Sequence, residues 1–169
     1  ANVAGLSEAG QVFALARVFA SLTRGLAAIE RLDVSQLRTP SGAAARGAGA
    51  AFGNGTPDED ELASLQRRVA KAMPWLGRGA IEEAARVYAN TRAVDLDEWR
   101  LGAIMTSTRA AAIVCDDIVS AAEFVRRTEG DLSTAKGDAL LAGRRLLGDL
   151  LGFWVSDGAF AMKRRLGMG

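Results

Sequence analysis

The sequence predicts an all-α fold, a single-domain bundle of about six to eight helices spanning residues 1–169. Apolar residues recur every three or four positions along nearly the whole chain, which is the period of an amphipathic helix. No segment shows the strict alternation of a strand or the turn of a hairpin. With 169 residues, 49% of them hydrophobic and 24% charged, the chain can bury a core. The sequence shows no repeat of about 34 residues, which is the period that a helical repeat array requires.

The first third of the chain predicts two helical regions. A long helix is expected from about residue 8 to 31, with Ser7 as its N-cap and Glu8 in the first turn. Pro40 is expected to break any continuous helix, and Thr39-Pro40 to cap and start a new one. The following segment, 41–52, is rich in alanine and glycine, which permits helices to approach closely.

The rest of the chain carries clear helix start and stop signals. Thr56, Pro57 and Glu59 predict a helix start, Met73-Pro74 its end, and another helix is expected from about 75 to 91. Asp95 with Glu98 is a capping box and predicts a further helix start. Asp116-Asp117 and Ser156-Asp157 predict the starts of two later helices, and Gly167 is expected to end the last one. The helix after Asp95 is apolar on most sides, so we place it in the middle of the bundle. A further helix is expected from about 134 to 153.

Composition excludes several classes of function. The chain has no histidine, so it lacks a Ser-His or Cys-His nucleophile pair and an imidazole metal ligand. Its one cysteine, Cys115, lies in an apolar run and is expected to be a packing residue. The acidic run 58–61 is interpreted as a helix first turn rather than a metal site. We therefore expect no cofactor and no bound metal.

Charge and hydropathy bear on partners and location. Lys and Arg number 21 against 20 Asp and Glu, a formal net charge of +1, so no general attraction to nucleic acid is expected. No apolar run approaches the roughly 20 residues that span a bilayer. A single cysteine suits a reducing compartment, and no export signal is visible, so we expect a cytoplasmic location.

Four blocks of the sequence carry a resemblance to a known family. They are "VFALARVFASLTRG", "LDVSQLRTP", "WRLGAIMTSTRAAAIVCDDIVSAAEFV" and "LLGDLLGFWVSDGAFAMKRRLG". Together they resemble the helical domain of large tetratricopeptide-repeat proteins of myxobacteria and, more distantly, the helical core of HtpX-like zinc metallopeptidases. The family usually reads Trp-Arg-x-x-Ala-Glu-Leu-Thr-Ala-Asp-Arg-Ala-Gly-Leu-Leu-x-Cys-Gly-Asp at the third block. The matching residues there are Trp99, Arg100, Ala103, Thr106, Arg109, Ala110, Cys115 and Asp117.

The resemblance implies a zinc site whose ligands are absent from this chain. The glutamate that is the third zinc ligand in active peptidases is replaced by Ile104, and the aspartate before the arginine by Thr108. The His-Glu-x-x-His positions align with Arg17, Val18 and Ser21. These five residues cannot rebuild a zinc site. We therefore expect a degenerate site with no catalytic residue and no metal.

Three functions follow as hypotheses. The first is a catalytically inactive, peptidase-like domain that acts as an interaction or scaffolding module for a protein partner or a neighbouring repeat domain in a larger protein. The alternative is a small-molecule or anion sensor whose inter-helix cavity contains Arg17 or Arg109. The third is an unrelated enzyme that uses Asp116, Asp117 or Glu123 as acid and base, although adjacent residues point in different directions on a helix.

Two structural expectations accompany these hypotheses. Arg109 is expected to pair with Asp116, Asp117 or Glu98 inside the bundle. The chain has many aromatic side chains for one small bundle, so an oligomer is expected as an alternative to a core that buries them all. These aromatic residues are Trp75, Trp99, Phe153, Trp154 and Phe160. For Trp99 the core position is favoured.

Overall fold

The computed structural model is all-α, as the sequence predicts, and it describes residues 5–50, 59–72, 78–90, 95–128 and 145–168. Within those ranges there are nine helices, one more than the upper limit expected, and no strand. They are α1 (Glu8–Thr23), α2 (Ala27–Arg31), α3 (Val34–Gly47), α4 (Glu59–Ala72), α5 (Arg78–Asn90), α6 (Leu96–Cys115), α7 (Ile118–Thr128), α8 (Arg145–Trp154) and α9 (Asp157–Arg165).

The chain divides into two compact units. The first comprises Ala1–Glu30 with Leu101–Gly169, and the second comprises Arg31–Arg100. None of the helices in the described ranges combines the length and apolar character needed to cross a membrane.

The core of the first unit forms where α1 and α8 both pack against α7. The Phe13 and Phe124 rings lie 5.1 Å apart between centroids in a tilted arrangement, which suits aromatic quadrupoles. Alanines of α6 and leucines of α8 complete this core, including Ala111, Ala112, Leu147 and Leu150.

The second unit is built on α3, which packs against both α4 and α5. A side chain at Gly47 would place its Cβ 3.3 Å from Cγ1 of Val69, so glycine here allows α3 and α4 to approach closely. Leu37 and Ala43 of α3 and Leu62 of α4 are buried in this unit. The small residues of the alanine-rich segment therefore serve close helix packing, as expected.

The single helix predicted from residue 8 to 31 is wrong, because α1 ends at Thr23. Gly25 has a φ of +68°. The Leu26 N–H donates to the carbonyl of Ser21, and the Gly25 N–H donates to that of Leu22. This pair of bonds is a Schellman motif, which a left-handed glycine permits at no steric cost.

The expected break at Pro40 is also wrong, because Pro40 lies inside α3. The helix begins earlier, at a capping box in which the Asp33 carboxylate accepts from the Gln36 N–H and the Gln36 side chain accepts from the Asp33 N–H. Leu37 and Ala43 are buried on either side of the proline in the sequence. Tertiary packing of this face thus outweighs the backbone bond that proline cannot donate.

Four predicted helix ends are confirmed by their hydrogen bonds. Ser7 and Ser156 accept from the N–H groups of Gly10 and Ala159, and Asp95 accepts from that of Glu98. The C-terminal stop is Gly167, with a φ of +71°. Thr56, Pro57, Met73-Pro74, Trp75 and residues 134–144 lie outside the described residues.

Candidate interaction surface

The three α1 positions that the resemblance predicts to correspond to a zinc-binding motif lie on two sides of the helix. Ser21 is buried, and Arg17 lies on the same inward side, where its guanidinium is 3.7 Å from the Glu30 carboxylate. Val18 faces outward and is exposed. An i, i+4 pair thus faces inward, as a zinc motif requires, but an arginine and a serine occupy it.

The two positions on α6 are both shielded from solvent, one partly and the other completely. Ile104 is half-buried and packs against the core of the first unit. Thr108 is completely buried, and its Oγ1 has no hydrogen-bond partner. Across the described ranges, no three His, Cys, Asp or Glu side chains are close enough together to hold a metal ion.

Arg109 does not pair with Asp116, Asp117 or Glu98, so that expectation is wrong. Its Nε donates to Oδ2 of Asp149 at 2.9 Å and its Nη2 donates to Oδ1, while the guanidinium lies 5.5 Å from the centroid of the Phe153 ring. The hydrogen bond to Asp149 raises the pKa of Arg109. The bidentate bond ties α6 to α8, a contact between residues forty apart that no local pattern reveals.

A cleft of about 760 Å³ adjoins Arg109 and is lined by residues of α1, α6, α8 and α9. Arg24 and Phe153 contribute to the lining, whereas Arg17 does not. Because Asp149 already neutralises Arg109, the sensor hypothesis lacks the uncompensated arginine that would favour it at this position. The exposed Arg24 is the other cationic side chain among the described residues that line this cleft.

The two adjacent aspartates have separate structural tasks. The Asp117 carboxylate accepts from the Val119 N–H and from the Ser120 hydroxyl at the start of α7, bonds that lower the pKa of Asp117. Asp116 has a left-handed backbone, φ 49°, and lies 2.7 Å from Nζ of Lys163. Capping by the pair is thus confirmed for Asp117 alone, because the chain must turn at Asp116.

Glu123 and Cys115 show no sign of activation for catalysis. The Glu123 carboxylate is held by hydrogen bonds from Arg126 and Arg127, which lower the pKa of Glu123 to about 2. Burial raises the pKa of the half-buried Cys115 thiol, which keeps it protonated rather than nucleophilic. Both groups are engaged by their neighbours in ways typical of structural residues.

The surface feature that the sequence reading missed is the outward side of α1. Five large apolar side chains there are between 39% and 64% exposed, and we call them the α1 stripe: Val12, Leu15, Val18, Phe19 and Leu22. The other described helices expose at most two such side chains each. The sequence signal that could have revealed the α1 stripe is that α1 is apolar on two sides. Phe13 and Ala14 face the core, whereas the adjacent Val12 and Leu15 do not.

Trp99 is also more exposed than expected. It is 46% exposed instead of filling the core, so that prediction is wrong. In the second unit it lines an apolar groove of about 380 Å³ together with residues of α3 and α5, including Tyr88. Burial raises the pKa of Tyr88. The aromatic side chains therefore occupy surface as well as core positions. Phe160 is a second exposed one.

Comparisons of the chain with protein-family models, with curated proteins and with solved structures give no match.

Proposed function

We propose that this protein is a catalytically inactive, peptidase-like helical domain that acts as a protein-interaction or scaffolding module. Its partner would be a protein or a neighbouring repeat domain. The observation that carries the proposal is the α1 stripe, an apolar surface at helical spacing on a helix whose opposite side is already buried in a core. A helix with apolar residues on two opposite sides is typical of one that is covered on both.

The size of the stripe supports an interaction role. Fully burying a side chain such as leucine removes roughly 60–120 Å² of apolar surface from water, so five side chains that are about half exposed leave on the order of 150–300 Å² uncovered. The upper end of this estimate reaches the lower limit of the size range of the largest apolar patches on monomeric proteins, which are often functional. At about 25 cal/mol per Å², covering it would contribute up to about 8 kcal/mol before the costs of association.

The absence of catalysis is proposed on chemical grounds. Peptide hydrolysis needs an activated water or nucleophile, and metallopeptidases obtain it from zinc held by neutral imidazoles. The aligned positions hold an ion-paired arginine, a buried serine and an unpaired threonine hydroxyl. None of these groups supplies a strong ligand for zinc or a general base at neutral pH.

Site-specific photo-crosslinking in cells tests the interaction. We would place benzoylphenylalanine at Leu15 in the stripe and, as a matched control, at Val119, which is exposed but isolated on α7. Discrete crosslinked products are expected from position 15 and none from position 119. No product from position 15, or equal products from both, would overturn the proposal.

Metal analysis of untagged protein tests the inactive assignment separately. We expect less than stoichiometric zinc after purification, no zinc uptake on titration and no peptide hydrolysis. One tightly held zinc per chain would show that ligands exist which the alignment missed, and it would reject the proposed lack of activity.

A further inference from the structure

The cleft beside Arg109 lies within the first unit, and the α1 residues that line it are not those of the α1 stripe. Its volume of about 760 Å³ falls within the range of small-molecule sites, which are mostly apolar and contain few polar groups. The apolar part of the lining consists of Ala20, Leu26, Ala110, Phe153 and Met162. The cleft therefore has the size and the walls of a site for an organic molecule of one or two rings.

The polar groups of this lining restrict the chemistry of a ligand. The hydroxyl groups of Thr23, Thr106 and Ser107 each donate to a carbonyl one turn earlier in their own helix, at 2.8, 2.7 and 3.0 Å. An alcohol has one proton to donate, so these groups have none left for a ligand. The donors that remain among the described lining side chains are the guanidinium groups of Arg24 and Arg109, and none of those side chains is acidic. The polar part of a ligand is therefore expected to be an acceptor.

The two guanidinium groups have different roles in the cleft. Arg109 is held in place, because its Nε and Nη2 donate to Asp149 and it lies over the Phe153 ring. No described residue accepts a hydrogen bond from its Nη1, which carries two further N–H groups. Arg24 is exposed and forms no ion pair or side-chain hydrogen bond with any other described residue. Arg109 thus supplies a positioned donor, and Arg24 supplies a positive charge that is not neutralised.

We propose that this cleft binds a small organic molecule that carries one carboxylate on a planar apolar body. The carboxylate pairs with Arg24 and accepts from Nη1 of Arg109, and the planar body packs against Phe153 and Met162. A single negative charge matches the cleft, because Asp149 already neutralises one of the two arginines. This binding site goes beyond the proposed interaction function and does not depend on it.

A titration of the isotopically labelled whole chain, followed by amide chemical shifts, measures the binding. The probe is β-naphthoate, and β-naphthamide is a neutral control of the same shape. We expect β-naphthoate to bind with a Kd of roughly 0.1–1 mM, as is usual for a ligand of this size, and to shift amides of residues that line the cleft. β-Naphthamide is expected to bind at least about fivefold more weakly, because it lacks the charge. Equal affinities, or no shifts with β-naphthoate at about 5 mM, would overturn the proposal.

Variants of Arg24 test the recognition of the carboxylate. Arg24→Gln is expected to weaken β-naphthoate binding about fivefold or more and β-naphthamide binding less than about twofold. Arg24→Lys keeps the charge and is expected to stay within about threefold of the wild-type affinity. Arg165→Gln is the matched control, because it removes an exposed arginine that does not line the cleft, and it should change neither affinity. An unchanged affinity of Arg24→Gln for β-naphthoate would refute the pairing.

A second pair of variants shows where the probes bind. Ala110→Trp fills the cleft from an exposed position of α6, so we expect unchanged helix content by circular dichroism and no binding of either probe. Leu15→Asp alters the α1 stripe and is expected to leave both affinities unchanged. Binding that survives Ala110→Trp but is lost in Leu15→Asp would place the probes on the α1 stripe and refute the cleft site. Crosslinking from position 15 does not report on the cleft, so failure of this inference is distinguishable from failure of the interaction function.

Discussion

Replacing Thr108 with valine should stabilise the protein, because the threonine hydroxyl is buried without a hydrogen-bond partner. An unpaired hydroxyl in a protein interior costs about 1–3 kcal/mol. Valine exchanges the hydroxyl for a methyl group of similar shape, and its helix propensity is close to that of threonine. We therefore expect the free energy of unfolding to rise by about 1–2 kcal/mol.

Urea denaturation followed by far-ultraviolet circular dichroism measures this change. For a chain of this size, 1–2 kcal/mol corresponds to a rise in Tm of about 2–8 °C. The control is Thr106→Val on the same helix, where the hydroxyl is exposed and donates to the Gly102 carbonyl at 2.7 Å. That variant should change the free energy of unfolding by less than about 0.5 kcal/mol.

The reasoning would be refuted if Thr108→Val lowered the free energy of unfolding or if Thr106→Val raised it equally. The first outcome would mean that the buried hydroxyl is satisfied in solution, for example by an internal water. The second would mean that valine stabilises α6 through propensity and not through removal of a buried polar atom.

Three further substitutions test ion pairs and backbone strain by the same denaturation assay. Asp149→Asn should lower the free energy of unfolding by about 1–2 kcal/mol, because the mostly buried carboxylate accepts two bonds from Arg109; no loss would mean that the pair is unimportant. Glu123 has a folded pKa of about 2, below its ordinary value of 4.5, so its contribution is present above pH 4.5 and disappears as pH falls towards 2. Glu123→Gln should reduce this acid-dependent decrease in the free energy of unfolding by less than about 1 kcal/mol, because solvent screens this partly exposed pair. An unchanged pH dependence of the free energy of unfolding would contradict the assignment. Asp116→Ala should be about 1 kcal/mol less stable than Asp116→Asn, because asparagine tolerates the left-handed backbone that alanine resists; equal stabilities would show that the turn is unstrained.

The helical architecture could be predicted from the sequence because the signals that start and end a helix are local. Ser7, Asp95 and Ser156 cap helices through bonds to residues three positions away, so the pattern that predicts them contains both partners. Where local signals competed, the prediction failed. Gly25 ends α1 although the apolar period continues past it, and Pro40 remains inside α3 although its chemistry disfavours a helix interior.

The candidate site, too, could be predicted from the sequence only in part. The resemblance predicts zinc ligands at the positions of Arg17, Ser21 and Ile104, and the sequence alone shows residues of other types there. The partner of Arg109 was not predictable, because Asp149 lies forty residues away and only the packing of α8 beside α6 brings the two together. Sequence spacing alone carries no information about such a pair.

The sequence by itself therefore determined the helix type, most helix starts and the absence of histidine chemistry, because each depends on residue identity or on neighbours within one turn. Tertiary structure decided which of the two apolar sides of α1 enters the core. Phe13 and Leu15 are equally hydrophobic in the sequence, yet one is completely buried and the other is mostly exposed. The hydrophobic effect depends on the surface removed from water, and only the packed neighbours of a side chain determine how much that is.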